Sequence, residues 1–165
     1  MASRNYRNRS GTLLPYLIGL LMLFLSFRSI QKMSKNPRQI INDTLLKAGY
    51  PQQTINFWVC ISAFETAGWT SKIFLRYNNL WGMEYSFINS TAIGVTDTPE
   101  KQAAYSSVQS SADDLILFMQ KRWRYPKAWN NLADLIAYMK QRNYFASNQY
   151  DYLNGVMSYY KKFFL

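Results

Sequence analysis

With 165 residues and 48% hydrophobic content the chain can build one domain core, and its complete lack of histidine removes His-based triads, His general bases and most zinc sites. The net charge of +10 is unevenly spread: residues 1–38 hold seven Lys or Arg and no acid, leaving twelve basic against nine acidic residues beyond. A folded part near +3 gives a weak field for nucleic acid but tolerates an anionic polymer, and the single Cys60, flanked by Val59 and Ile61, excludes an internal disulfide and reads as a buried core thiol.

Residues 1–12 carry three Arg, and residues 13–27, LLPYLIGLLMLFLSF, are fifteen without a charge. Extended to Ile30 the run has eighteen residues, or ~27 Å at ~1.5 Å each, which spans a bilayer if Arg28 snorkels to the interface. Phe27 and Arg28 stand where a signal peptidase requires small side chains. The expectation is therefore a basic segment 1–12, an uncleaved transmembrane signal anchor 13–30, a linker 31–36 and a folded domain 37–165. Arg28, Lys32, Lys35 and Arg38 follow the span as closely as three Arg precede it, so charge does not choose a topology.

Beyond the anchor the pattern is helical. Asn36 before Pro37 is an N-cap with proline at the first helical position, and that helix runs to Lys47 before Gly49 and Pro51. The next, from about Gln52 to Thr66, is apolar almost all round and is expected to pass through the domain centre, with Glu65 in its last turn. A carboxylate at the negative end of a helix, beside Phe64 and Trp69, is pushed toward holding its proton near neutral pH, as a general acid must. The plain alternative is a helix-end Glu paired with Lys72 or Arg76. From Glu84 to Tyr105 the character turns small, polar and β-branched, and residues 91–98 around Gly94 with residues 102–105 suggest a short hairpin. This lobe adds Glu84, Asp97 and Glu100, each able to position water or stabilise positive charge, or simply to sit solvated in a loop. Helices resume after Ser107, with Asp113 and Asp114 assigned to a first turn and Leu115, Met119 and Trp123 to a core-facing stripe. Lys121, Arg122, Arg124 and Lys127 interleave with Trp123, Tyr125 and Trp129, which suits a solvated helix end, an anionic glycan or a single strand. Residues 132–139 and 153–164 mark two further helices, joined by the tyrosine-rich NYFASNQYDYL.

ETAGWTSKIF, NNLWGM, AYSSVQSSADDL and NYFASNQYDYL, in this order and spacing, resemble the glucosaminidase family of peptidoglycan hydrolases, which includes autolysins, the muralytic domain of the flagellar rod-cap protein and phage lysins. The resemblance covers about residues 37–163 and implies a mainly α (α+β), lysozyme-like helical domain with a small β lobe, here behind one N-terminal transmembrane helix. It implies Glu65 as general acid. Asn78, Asn79 and Trp81 match the N-N-L-[FW]-G turn that floors the family's cleft, while Tyr144 and Tyr150 match two tyrosines of its G-Y-A-T-D linker. The family's second acid sits in a T-x-E context to which Thr98-Pro99-Glu100 fits loosely, so Glu100 is the candidate with Asp97 beside it. Residues 143–147 keep the tyrosine of G-Y-A-T-D but lose its glycine and acid.

The function expected from residues and resemblance together is cleavage of the β-1,4 bond between N-acetylglucosamine and N-acetylmuramic acid, without metal or cofactor. The partners expected are peptidoglycan strands and, through residues 13–30, the lipid bilayer, with no nucleic acid. The domain would then face the cell-wall side of the membrane, and Trp81 and Tyr144 would stack on sugars. The competing expectation is a tethered wall-binding or assembly protein that has lost hydrolysis.

Overall fold

The computed structural model describes residues 36–85 and 91–165, and the expected anchor over residues 13–30 lies outside them. Among the described residues no helix is long and apolar enough to cross a membrane. They form a mainly helical domain with one small two-stranded sheet.

Helix α1, Pro37–Lys47, begins as the Asn-Pro pair dictates: the Asn36 side chain accepts from the Arg38 amide at 3.0 Å. It turns Ile40, Ile41 and Leu45 inward. Helix α2, Gln52–Glu65, is buried along nearly its whole length, including the unbroken run from Phe57 to Ala63. Its few polar side chains survive there because each has a partner. Thr54 accepts from the Trp129 amide at 3.0 Å, and Ser62 donates to the Leu80 carbonyl at 2.8 Å while accepting from the Trp69 indole at 3.1 Å. Cys60 is fully buried, and burial pushes its thiol up to about 12, so it packs as a small apolar group.

The chain leaves α2 through Ala67, Gly68 and Trp69, all left-handed, and re-enters a short helix α3, Lys72–Tyr77, capped by Ser71. Strands β1, Ala92–Val95, and β2, Ala103–Tyr105, pair antiparallel with Ala92 opposite Tyr105 and Val95 opposite Ala103, and a bulge lies between Ala92 and Gly94. Ser107 then caps α4, Val108–Leu117. With the cap at Ser107, Asp113 and Asp114 are the sixth and seventh residues of the helix and fall in its second turn, so their assignment to a first turn is corrected. Asp114 instead turns inward and accepts from the Tyr105 hydroxyl at 2.8 Å, stitching helix to strand. A π-helical turn, Phe118–Trp123, follows and ends at left-handed Arg124. Helices α5, Leu132–Gln141, and α6, Gln149–Phe164, complete the chain, capped by Asn131 and Asn148.

The other elements wrap α2: α1 and α6 pack on it, α4 on α1, and α5 on α6. Trp58 stands at the centre, with Trp81 and Tyr125 edge-on at 6.0 and 5.9 Å. Tyr125 is buried there and Trp129 packs on Tyr138, so both belong to the domain's own packing rather than to a free stacking face.

Helix α6 approaches α2 most closely at Gly155, where an added Cβ would stand 2.2 Å from Cε2 of Phe64. Alanine is the better helix former, but the clash is larger: Gly155→Ala should lower stability by about 1–2 kcal/mol in urea denaturation. Pairing it with Phe64→Leu should recover part of the loss, and an unchanged midpoint in the single variant would show that the ring yields freely.

Candidate functional site

A cleft of about 580 Å³ opens where α2 ends, between residues 81–85, residues 143–147 and the start of α6. Glu65 is the last residue of α2 and lies half-buried in it. It faces the cleft because the helix stops there: Thr66 leaves helical geometry, and its hydroxyl donates to the Ser62 carbonyl at 2.6 Å and accepts from the Trp69 amide at 3.1 Å, fixing the turn that carries the chain away.

One carboxyl oxygen, Oε1, accepts a short hydrogen bond from the Tyr152 hydroxyl of α6. The other, Oε2, lies against Gly82, where an added Cβ would stand 3.3 Å from it. Gly82 is also left-handed at φ +62°, so a side chain here would be strained as well as crowding Oε2. Burial pushes the Glu65 carboxyl up to about 7, against the opposing pull of the Tyr152 hydrogen bond. The expected alternative, an ion pair with Arg76, does not form: Arg76 reaches Asp97 at 3.1 Å.

Aromatic rings enclose this carboxyl. Tyr152 stacks on Phe145 at 3.8 Å and 5°, and Phe64 meets its edge at 5.0 Å. Tyr144 donates to the Trp81 carbonyl at 3.2 Å. Burial and the nearby Glu65 hold both the Tyr144 and Tyr152 phenols well above their ordinary value, so each stays a neutral hydroxyl at any physiological pH. The turn over residues 143–147 is fixed by Lys140, whose ammonium donates to the carbonyls of Ala146 at 2.9 Å and Ser147 at 2.8 Å.

The expected binding residues divide sharply. Tyr144 lines the cleft, and Trp81 reaches it, but the Trp81 ring is 2% exposed and its indole donates to the Ser111 carbonyl at 3.0 Å. Such a ring cannot stack on a sugar, so that expectation is corrected. Asn79 is buried: its amide donates to the Met83 and Ala103 carbonyls at 3.0 and 2.9 Å, and its oxygen accepts from the Trp81 amide at 3.0 Å. Asn78 is left-handed and donates to the Tyr105 carbonyl at 3.0 Å. Both asparagines therefore build the turn that joins lobe to helices and do not line the cleft. Tyr150 is 70% exposed and points elsewhere.

Neither second-acid candidate lines the cleft. Asp97 is exposed, and the Tyr77 hydroxyl, with Arg76 beside it, holds its carboxyl below the usual range. Glu100 is exposed in the turn before β2. The carboxylate at the rim is Glu84, bridged to Gln102 by the isolated ladder that precedes the hairpin. Sequence reasoning missed Tyr152 and Phe145. The i, i+4 spacing of Tyr152 to Val156 on the buried face of α6 was the available signal.

Among the described residues no group of three or more His, Cys, Asp or Glu could hold a metal ion. A slightly larger hollow, about 660 Å³, opens between α1 and α4, but its polar side chains serve one another: Gln109 donates to Thr44 and to Asp113. The acid at the buried helix end makes the smaller cleft the candidate site. No protein-family model matches the chain, and neither a curated protein nor a solved structure does.

The raised carboxyl makes stability pH-dependent. An unfolded Glu ionises near its ordinary value of 4.5 and the folded one near 7, so between them the native state holds a proton that the unfolded state has lost. Stability then falls as pH rises across that window, by roughly 3 kcal/mol in all. Urea denaturation from pH 4 to 8 should show this slope in the wild type and a flatter one in Glu65→Gln; parallel profiles would contradict the raised value.

Proposed function

We propose that the protein is a membrane-anchored peptidoglycan hydrolase on a lysozyme-like domain, cutting the β-1,4 bond between N-acetylglucosamine and N-acetylmuramic acid with Glu65 as general acid. The observation that carries this reading is the place of Glu65: it lines the cleft at the end of α2, its Oε1 accepts from Tyr152, its Oε2 lies against Gly82, and burial pushes its carboxyl up to about 7. The resemblance of the four motifs to glucosaminidases points to the same residue. Asn143, standing where the resembled linker has glycine, is left-handed at φ 55°, a conformation that glycine adopts freely and asparagine tolerates.

In this mechanism the Glu65 proton passes to the glycosidic oxygen as its bond to the sugar carbon breaks, leaving a carboxylate. Water adds to the oxocarbenium-like carbon and gives its proton to Glu84. Tyr144, held by its bond to the Trp81 carbonyl, offers a ring edge and a fixed wall to the sugar. The anchor over residues 13–30 would hold the domain at the wall.

Full-length protein in detergent, incubated with purified peptidoglycan and followed by borohydride reduction and mass spectrometry, tests the reading. Reduced N-acetylglucosamine ends are expected from the wild type and none from Glu65→Gln. Reduced N-acetylmuramic acid ends would make the protein a muramidase. No products, with both proteins sedimenting with the wall, would favour a tethering protein instead. Glu84→Gln should lower kcat on the order of 10²-fold, the scale of one general base. Undiminished turnover would assign activation of the sugar carbon to the substrate's own acetamido group.

A further inference from the structure

We infer that Tyr152 is a positioning residue for the acid: its hydroxyl clamps Oε1 of Glu65 and leaves Oε2, against Gly82, as the oxygen that carries the proton into the cleft. The inference rests on the hydrolase reading and concerns a residue that neither the general-acid motif nor the matched linker tyrosines include.

A glutamate side chain has three rotatable bonds, and a general acid must hold one orientation through the reaction. Tyr152 can impose one because it has no freedom of its own. It is 4% exposed, flat against Phe145 at 3.8 Å and edge-on to Phe64 at 5.0 Å. Phe145 in turn belongs to the turn whose carbonyls Lys140 gathers. The hydroxyl's direction is thereby fixed from α2, α5 and α6 together.

Burial raises the Glu65 carboxyl, and the Tyr152 hydroxyl is the side-chain group that pulls against it. Glu65 is met by Tyr152 from α6, with Tyr144 from the preceding turn close enough to feel its charge; Glu84 shares the cleft lining at its rim, and the neutral amide of Gln102 donates to the Gly82 carbonyl at 3.4 Å. No Lys or Arg is among the described residues lining the cleft. A phenol that donates to a carboxyl favours its ionised form, so it steadies the carboxylate left when the proton moves from Oε2 to the glycosidic oxygen and the bond's electron pair leaves with that oxygen.

Tyr152→Phe keeps the ring and removes only the hydroxyl. The chain has three glutamates, at 65, 84 and 100, so full-length protein carrying ¹³C at the Glu carboxyls gives three resonances, and Glu65→Gln assigns the relevant one. The Glu65 midpoint should rise in Tyr152→Phe, by about one unit, with circular dichroism unchanged. On peptidoglycan, kcat should fall roughly tenfold at unchanged KM, the scale of one charge-assisted hydrogen bond, and the alkaline limb should follow the new midpoint. An unmoved midpoint with wild-type kcat overturns the inference while leaving the hydrolase reading intact. Wall hydrolysis by Glu65→Gln overturns the hydrolase reading whatever Tyr152→Phe does. Should Tyr152→Phe not fold, wild-type protein carrying ¹³C at the tyrosine Cζ should show the Tyr152 resonance shifting with the Glu65 midpoint, as a hydroxyl bonded to that carboxyl must; a Tyr152 resonance that ignores the Glu65 titration also overturns the inference.

Discussion

A helix buried on every side must end somewhere, and where α2 ends decides the rest of this molecule. Its central residues leave no solvated face, so α1 and α6 cover it directly and α4 and α5 brace those covers. The chain can leave such a core only through a tight turn. The left-handed residues 67–69 supply it, and the side chain at the exit, Glu65, is caught between core and water. The hollow forms at the place where helical cover runs out.

Much of that frame is legible in the sequence because its signals are local. The Asn36-Pro37 start and the Gly49 stop bound α1, and an apolar run too continuous for a surface helix announces α2. Glu65 is legible for the same reason, as the one acid closing that run. The partner of Glu65 is not legible. Tyr152 lies 87 residues away; its i, i+4 spacing to Val156 marks it as inward-facing, unlike exposed Tyr150, but does not say against what. Only the phase of α6 against α2 decides, and that phase is set by Phe64 fitting over Gly155.

The asparagines and Trp81 show a different loss. A run such as NNLWG has the composition of a sugar-binding floor, and amides and indoles serve a carbohydrate and a backbone equally well. What separates the two is which carbonyls come within reach after folding. Here Met83, Ala103, Tyr105 and Ser111 do, and they claim the donors. The lobe's acids follow the same logic: strand register and the bulge beside Gly94 send Asp97 toward Arg76 and leave Glu84 at the rim. None of that register is written in spacing alone.

The Asn79 knot has a mechanical consequence. One buried side chain ties the Trp81 amide, the Met83 carbonyl and the β2 backbone at Ala103, so the hairpin is bolted to the helices at the floor of the cleft. Those bonds hold the described part of the lobe to the helices at its base. Desolvation of the acid is then built in at folding rather than produced by closure around a ligand, and the site stands assembled while empty. On the hydrolase reading, a site that is already assembled leaves control over when it acts to whatever governs access of the glycan strand to it.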